Sequence, residues 1–206
     1  RSSVSLALID NEGERQTINF GGDGFKSINR GMFDKFVPNV ILTDNRYPEI
    51  TRKALSFAHK RNIPSVLDAE APFIFEDIKY ATHIAFSLQG FRDFVPNLTF
   101  EKALKLAQKK LNCWICVTDG ENGVWVCDKD NYVQQMTAFK IDAVDTVGAG
   151  DVWHGIFAMR IAEGETEENA VIFANAAAAI KCQKFGGINA CPRREETLNF
   201  LSENGC

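Results

Sequence analysis

The chain has 206 residues, of which 45% are hydrophobic and 24% charged, with a formal net charge of −4. This balance is ordinary for a globular protein, and the length suits one domain or two. Lys and Arg are scattered through an acidic chain, which argues against nucleic-acid binding. No apolar run reaches the roughly 20 residues of a membrane span, and the first residues do not resemble a signal peptide. We therefore expect a cytoplasmic protein without a membrane or nucleic-acid partner.

The first predicted elements are two strands, at residues 1–9 and 16–20. Asn11-Glu12-Gly13 between them is typical of a turn, so the pair is predicted to form a β-hairpin. Gly21-Gly22-Asp23-Gly24 follows. Because it lacks the Lys-Ser/Thr pair of a phosphate-binding Walker loop, we interpret it as a flexible connection.

Short apolar strands then alternate with helical patterns. The predicted strands are residues 39–43, 64–68, 83–87, 113–117, 124–127 and 132–136. The predicted helices are residues 48–60, 73–78, 100–111 (N-cap Thr99), 151–162, 165–181 and 193–201. This alternation predicts an α/β fold with a parallel sheet covered on both faces. Ligands of such sheets bind at the carboxyl ends of the strands, where the loops 44–46, 68–70 and 118–123 are expected.

One glycine-rich segment, Asp145-Thr146-Val147-Gly148-Ala149-Gly150-Asp151, leads directly into an apolar helical run. Its glycines let backbone N–H groups converge at a helix start, whose positive dipole favours an anion. Asp151 is a candidate general base for an attacking hydroxyl, while the amides of Gly148, Ala149 and Gly150 stabilise charge on a transferring phosphoryl group. The alternative is a tight loop in which Asp151 merely caps the helix.

This segment resembles the second signature of the ribokinase/PfkB family of carbohydrate kinases. Residues 117–123 (Val-Thr-Asp-Gly-Glu-Asn-Gly) are similar to the family's nucleotide loop. Residues 173–179 and 185–187 are similar to its adenine-side helix and loop. The resemblance implies a three-layer, doubly wound, ribokinase-like α/β fold with a small β lid. It also implies ATP-dependent phosphorylation of a hydroxyl group of a sugar or sugar-like compound, with Mg²⁺.

The resemblance also implies a domain organisation. Residues 1–20 would be part of the lid, and residues 21–206 the nucleotide-binding kinase domain. Roughly the first third of a family member, with a substrate-binding Asp and a Gly-Gly segment, would precede this chain. Family members often form dimers through their lid sheets, so a homodimer is implied.

Several nucleotide contacts follow from the resemblance. It assigns Thr118, Gly120 and Gly123 to ATP, although a plain strand-connecting loop is the alternative. It places Asn175 against adenine, where a structural amide is the alternative. Gly187 would let the backbone wrap the base, unless it is only part of a helix C-cap.

Three further residues are candidates with alternatives. The surroundings of Arg46 resemble the ketohexokinase-like branch, and its guanidinium is suited to a bidentate contact with the γ-phosphate. The resemblance implies that Asp145 helps hold a monovalent cation, usually K⁺; the alternative is an Asx turn. His154 lies one helical turn beyond Asp151, as a proton relay or as a structural residue.

The sequence departs from the family at Ser87-Leu88-Gln89-Gly90, where members often have Asn-x-x-Glu. We therefore assign no Mg²⁺ ligand and expect ATP phosphates and water to hold the metal. A non-catalytic nucleotide-binding regulator remains the rival interpretation. An NAD-dependent oxidoreductase is disfavoured because the third glycine of its fingerprint is missing. Cys113 and Cys116 lie three apart on a predicted strand and so face opposite sides, which argues against a shared metal.

Overall fold

The structure, a computed structural model, describes residues 1–9, 15–23, 37–70, 72–95, 97–128 and 130–206. The chain divides into two compact units, Arg1–Lys35 and Phe36–Cys206. The predicted turn at residues 11–13 and the last glycine of the 21–24 segment lie outside the described residues.

The first unit contains the two predicted strands, β1 (Val4–Ile9) and β2 (Arg15–Phe20). They pair antiparallel, with Val4 opposite Phe20 and Leu6 opposite Ile18. Opposite residues of such a pair share one face of the ribbon. On this face the exposed apolar side chains are those of Val4, Leu6, Leu8, Ile18 and Phe20. No described part of the chain covers this apolar face of the ribbon.

The second unit is built on a six-stranded sheet. Its strands are β3 (Ile41–Asp44), β4 (Ser65–Ala69), β5 (His83–Ser87), β6 (Trp114–Thr118), β7 (Val124–Cys127) and β8 (Val133–Met136). They lie side by side in chain order. The first four run parallel, whereas β7 and β8 are antiparallel additions. The predicted, mainly parallel sheet is confirmed.

Seven α-helices are present among the described residues. They are α1 (Pro48–Lys60), α2 (Phe75–Ile78), α3 (Leu88–Phe94), α4 (Phe100–Leu111), α5 (Ala149–Ala162), α6 (Glu167–Cys182) and α7 (Arg194–Glu203). Sequence periodicity missed α3, which begins where the Ser87 side chain accepts a hydrogen bond from the Gly90 N–H. Thr99 occupies the N-cap position of α4, but its side chain makes no capping hydrogen bond.

Helices cover both faces of the sheet. On one face Leu55 of α1, Phe91 of α3 and Leu104 of α4 share a core. On the other, Phe157 of α5 and Val171 of α6 share a second core. Fully burying an apolar side chain of this size stabilises a fold by roughly 1.5–3 kcal/mol. The arrangement confirms a three-layer α/β fold.

The alternation of side chains along β6 distributes its cysteines between the two layers. Cys113, just before the strand, packs against the first core, and Cys116 lies in the second. Burial raises the pKa of Cys113 to about 12 and raises that of Cys116 as well. Both are therefore thiols on opposite faces, as their spacing predicted. None of the described helices is both long and apolar enough to cross a membrane.

Candidate active site

The carboxyl ends of the parallel strands form one edge of the sheet. Asp44 at the end of β3 lies opposite Asp68 of β4, and Ser87 at the end of β5 lies opposite Thr118 of β6. The predicted loops after β3, β4 and β6 therefore share this edge. In α/β sheets it is the edge where ligands bind.

Helix α5 begins at this edge two residues earlier than predicted. Gly148 is its N-cap, in the left-handed conformation with φ +78°, which a glycine adopts without steric cost. The Ala149 N–H donates to the Thr146 carbonyl over 3.1 Å. Within the described chain, the N–H groups of Gly150 and Asp151 have no hydrogen-bond acceptor. Among the described residues, the Gly148 N–H also has no acceptor, so the helix start presents three free amide donors, and the Ala149 amide is not one of them.

Asp151 is exposed and lies in the first turn of α5, three residues after the N-cap. Its Oδ2 atom folds back towards Gly148, 3.8 Å from where a Cβ on that glycine would lie. No hydrogen bond or ion pair to another described residue occupies the carboxylate, and no side chain caps this helix. The interpretation of Asp151 as an N-cap is therefore wrong. Its carboxylate stands beside the free amides.

His154 lies one turn further along α5 and is buried. Its Nδ1 atom is 2.8 Å from the Gly150 carbonyl oxygen, and its Nε2 atom is 3.5 Å from Asp68 Oδ1. A carbonyl only accepts, so Nδ1 must carry the proton of that hydrogen bond. The remaining nitrogen faces Asp68 rather than Asp151. The imidazole therefore holds the helix start through Nδ1, while Nε2 has no hydrogen-bond partner among the described residues and makes no contact with Asp151.

The Asp68 carboxylate belongs to an acidic group at the strand ends. Burial raises its pKa above the ordinary value of 3.8, while His154 acts to lower it. The nearby charges of Glu70, Asp151 and Asp44 raise it further. Asp68 was predicted to lie in a loop at this edge, without a predicted role. Negative charge accumulates here unless a cation or a proton is bound.

The Asp145 carboxylate holds the segment that precedes α5 through two hydrogen bonds. Its Oδ1 accepts the Val147 N–H and its Oδ2 accepts the Gly186 N–H, each over 2.9 Å. The hydrogen bond from Gly186 is the largest cause that lowers the pKa of Asp145, followed by that from Val147. The Nζ atom of Lys181, which is buried, lies 2.6 Å from the Asp145 carbonyl oxygen. The Asx turn was one of the two predicted interpretations, and it is present.

The loop after β6 contains the three predicted nucleotide residues. Thr118 ends the strand, and its hydroxyl donates to the Phe86 carbonyl over 3.2 Å. Gly120 has φ +51° with open space around the position of a Cβ. Gly123 has φ +94°, and a Cβ there would lie 2.1 Å from the Met136 carbonyl oxygen. A glycine is thus required at position 123 by the close packing against the end of β8, whereas a Cβ at position 120 would meet no other atom within 4 Å.

Asn175 of α6 is buried and its amide is used by the protein. Its Oδ1 accepts the Trp153 indole N–H over 2.8 Å, and its Nδ2 donates to the Thr137 carbonyl over 3.4 Å. These contacts explain its burial without a ligand. Gly187 follows α6 in an open loop, between Phe185 and Ile188, which are 86% and 87% exposed. That loop therefore offers an apolar surface close to Asp145.

Arg46 lies in the loop after β3, where its guanidinium is 3.5 Å from Glu70 Oε2 of the next loop. Asn45 joins the same two loops, because its Oδ1 accepts the Glu70 N–H over 2.9 Å and its Nδ2 donates to the Glu70 carbonyl over 2.5 Å. The structure thus holds Arg46 at the ligand-binding edge. The guanidinium is exposed, and among the described residues its one ion pair is the weak contact with Glu70.

The described residues contain no group of three or more His, Cys, Asp and Glu side chains arranged to hold a metal ion. At the departure from Asn-x-x-Glu, Ser87 caps α3 and Gln89 donates to Asp93 instead. Lys181 was not singled out from the sequence, although a charged residue ending a buried, Ala-rich helix was a visible signal.

Comparison with known proteins defines the class of protein. The sequence profile described as pfkB family carbohydrate kinase matches residues 1–194. The chain is 32% identical to ribokinase of Bacillus subtilis over 167 residues, which are 80% of this chain and 55% of that relative. The chain therefore belongs to the pfkB family of carbohydrate kinases. It spans about half the length of the curated relatives that it matches.

Solved structures agree with this assignment. Ribokinase from Thermotoga maritima superposes with a TM-score of 0.77 at 29% identity, covering 98% of this chain and 70% of that one. Arabidopsis thaliana ribokinase, solved in complex with ribose and ATP, superposes with a TM-score of 0.83 over 96% of this chain and 68% of that one. At 22% identity, the second likeness concerns the fold alone. The ribokinase-like fold predicted from the sequence is confirmed.

Proposed function

We propose that the protein containing this chain is an ATP-dependent kinase that phosphorylates a hydroxyl group of a sugar. The observation that carries the proposal is the start of α5, where an unengaged Asp151 carboxylate stands beside the free N–H groups of Gly150 and Asp151. Phosphoryl transfer depends mainly on positioning and on stabilising charge. Free amides and an available base at a ligand-binding edge supply both.

In this mechanism the Asp151 carboxylate takes the proton of the sugar hydroxyl as its oxygen attacks the γ-phosphorus of ATP. The bond from the γ-phosphorus to the bridging oxygen breaks, and ADP leaves. The Gly150 amide and the dipole of α5 stabilise charge on the transferring oxygens; removing one such donor typically costs ~3–4 kcal/mol of transition-state stabilisation. Gly148 permits the turn that aims the helix at the phosphates. Mg²⁺ bound together with ATP would neutralise phosphate charge, and we assign it no ligand from this chain.

The nucleotide would lie across the loops after β6 and α6. Thr118 and Gly120 border the open part of the first loop, and Gly120 leaves space for a phosphate. Phe185 and Ile188, which flank the loop glycines, supply exposed apolar surface for the flat face of a base. Asn175 supports this region by tying α5 to α6 rather than by an essential contact with adenine. Arg46 approaches the γ-phosphate from the β3 loop.

Ribose is the first sugar to test, because the B. subtilis and T. maritima relatives are ribokinases. The test uses the protein at its full natural length, with ribose, fructose and other sugars in an assay coupled to ADP release. Asp151→Asn should lower kcat by at least ~10² while an ATP analogue still binds, because general-base catalysis is typically worth 10²–10⁴. An unchanged rate in Asp151→Asn would refute the assignment of the base. Nucleotide binding without phosphorylation of any sugar would favour the non-catalytic regulator.

We also propose that a second copy of the protein covers the apolar face of the β1–β2 ribbon. The support is the set of exposed apolar side chains on that face, two of which are Leu6 and Ile18. Apolar patches of this kind mark interaction surfaces. Light scattering on the full-length protein should show a dimer, and Leu6→Asp should weaken it. A monomer at every concentration would contradict this proposal without affecting the kinase assignment.

A further inference from the structure

Lys181 is the most deeply buried charged residue among those the structure describes, with 1% of its surface exposed. It lies in the last turn of α6, where the negative end of the helix dipole favours a cation. A buried ammonium is strongly destabilising unless opposite charge and hydrogen-bond acceptors compensate it. Its compensation comes from Asp145, through the carbonyl oxygen at 2.6 Å and the carboxylate Oδ2 at 3.5 Å from Nζ.

The oxygens of Asp145 are already engaged. The carbonyl oxygen accepts the ammonium, Oδ1 accepts the Val147 N–H and Oδ2 accepts the Gly186 N–H. A protein site for K⁺ replaces the hydration shell of the ion with oxygen atoms. An additional cation at Asp145 would compete with these donors and would be repelled by the adjacent ammonium. The residues present therefore do not fit the monovalent cation that the family resemblance implied.

The Lys181 ammonium lies against the backbone segment that leads into the start of α5. The Val144 and Asp145 N–H groups donate to the Cys182 carbonyl over 2.7 Å and 3.1 Å, so the end of α6 holds the segment before Gly148 by its backbone as well. Lys181 adds positive charge at the same point. This charge would stabilise the segment that positions the α5 amides. Because the lysine is part of the chain, it cannot dissociate as a free ion would.

We propose that Lys181 is a built-in cation that replaces the monovalent ion at Asp145, so that catalysis is independent of K⁺. The kinetic part of this proposal rests on the proposed function, whereas the part that concerns ion binding does not. Lys181 is a positioning residue, since it acts through Asp145 and the helix start rather than by touching substrate. Replacing it should create a requirement for a free cation that the natural protein lacks.

The kinetic test compares full-length protein in chloride salts of K⁺, Na⁺ and choline at equal ionic strength. For the natural protein, kcat/KM in K⁺ and in choline should agree within about twofold. Lys181→Ala removes the charge and leaves space. In choline its kcat/KM should fall by about tenfold or more, and K⁺ should restore much of the loss. Lys184→Ala is the matched control, because Lys184 is a neighbouring lysine that is exposed and paired with Glu196.

A second measurement needs no turnover. A ligand that binds only the folded state raises the melting temperature, so a K⁺-specific rise relative to choline reports an ion site. The natural protein should show no such rise, with or without ADP. This measurement can be made even if Lys181→Ala fails to fold. A K⁺-specific rise, or a kcat/KM that depends strongly on K⁺, in the natural protein would overturn the proposal. If no sugar is phosphorylated in any salt, the proposed function fails and the melting experiment still decides on the ion.

Discussion

The indole N–H of Trp153 donates a hydrogen bond to Asn175 Oδ1 over 2.8 Å, within the buried contact between α5 and α6. Asn175→Ala would leave this donor buried without a partner, and an unsatisfied buried polar group destabilises a protein by about 1–3 kcal/mol. We expect a loss of that size in the free energy of unfolding, measured by urea denaturation. Asn169→Ala, an exposed change on the same helix, should alter stability by about 0.5 kcal/mol or less.

A double-mutant cycle tests whether this bond is the cause. Trp153→Phe removes the donor, so adding Asn175→Ala to it should cost less than Asn175→Ala alone. Additive losses would show that the hydrogen bond contributes little. If Asn175 also contacts adenine, Asn175→Ala would weaken ATP binding well beyond the effect of Asn169→Ala.

Two glycines of the loop after β6 should respond differently to alanine. Gly123→Ala would drive a Cβ to within 2.1 Å of the Met136 carbonyl oxygen at a residue with φ +94°. The clash and the unfavourable backbone together should reduce the free energy of unfolding by about 3 kcal/mol or more. Gly120→Ala meets open space and should lose only about 1–2 kcal/mol, the penalty of the left-handed conformation.

The kinetic outcome separates packing from ligand binding at the same two positions. If the open loop around Gly120 holds phosphate, Gly120→Ala should raise the KM for ATP while the fold persists. Equal stability losses in the two variants would contradict the packing role assigned to Gly123. An unchanged KM for ATP in Gly120→Ala would remove Gly120 from the nucleotide site.

Asp68 should make stability depend on pH. Its pKa is raised in the folded state by burial, so the folded protein binds this proton more tightly than the unfolded chain does. The stability that the protonated carboxyl contributes is therefore lost as the pH rises above 3.8, the ordinary pKa of the group, and through its raised pKa in the folded state. Asp68→Asn mimics the protonated form. We expect its melting temperature relative to the natural protein to be higher at about pH 7.5 than at about pH 4.

Glu70→Gln serves as the control for this experiment, since Glu70 is an exposed carboxylate of the adjoining loop. It should show a smaller pH dependence than Asp68→Asn. A relative melting temperature of Asp68→Asn that is independent of pH, or that falls towards neutral pH, would contradict the argument. Such a result would mean that His154 compensates the buried charge completely.

The outline of the sheet and the long helices could be predicted because their signals are local. The run of Ala and apolar residues in α6 and the short apolar strands follow from periodicity alone. Helix α3 was not predicted from periodicity; its seven residues begin at the Ser87 cap, where the Ser87 side chain accepts the Gly90 N–H. The residues that line the edge of the sheet were predictable as loops, because parallel topology places their strand ends together.

The sequence could not reveal which partner each loop residue takes. The missing Cβ of Gly123 suggested an approach to phosphate, yet it accommodates the backbone at the end of β8. The pairs Lys181–Asp145 and Trp153–Asn175 join residues 36 and 22 positions apart. No spacing rule connects such residues, because tertiary packing alone brings them together. The free carboxylate of Asp151 could be suspected from the motif, whereas its lack of a partner among the described residues required the structure.

Arg46 provides the last prediction. Its guanidinium and the Glu70 carboxylate are 58% and 51% exposed and lie 3.5 Å apart, and such surface pairs contribute roughly 0–1 kcal/mol. Arg46→Gln should therefore leave the melting temperature nearly unchanged. A charge-assisted hydrogen bond to phosphate is worth about 1.5–3 kcal/mol, so kcat/KM for ATP should fall about tenfold or more if Arg46 binds the γ-phosphate. Arg61→Gln, an exposed change just after α1, is the matched control and should leave kcat/KM unaffected. Equal kcat/KM values for the two variants would confine Arg46 to its ion pair with Glu70, and the γ-phosphate would then depend on the α5 amides alone.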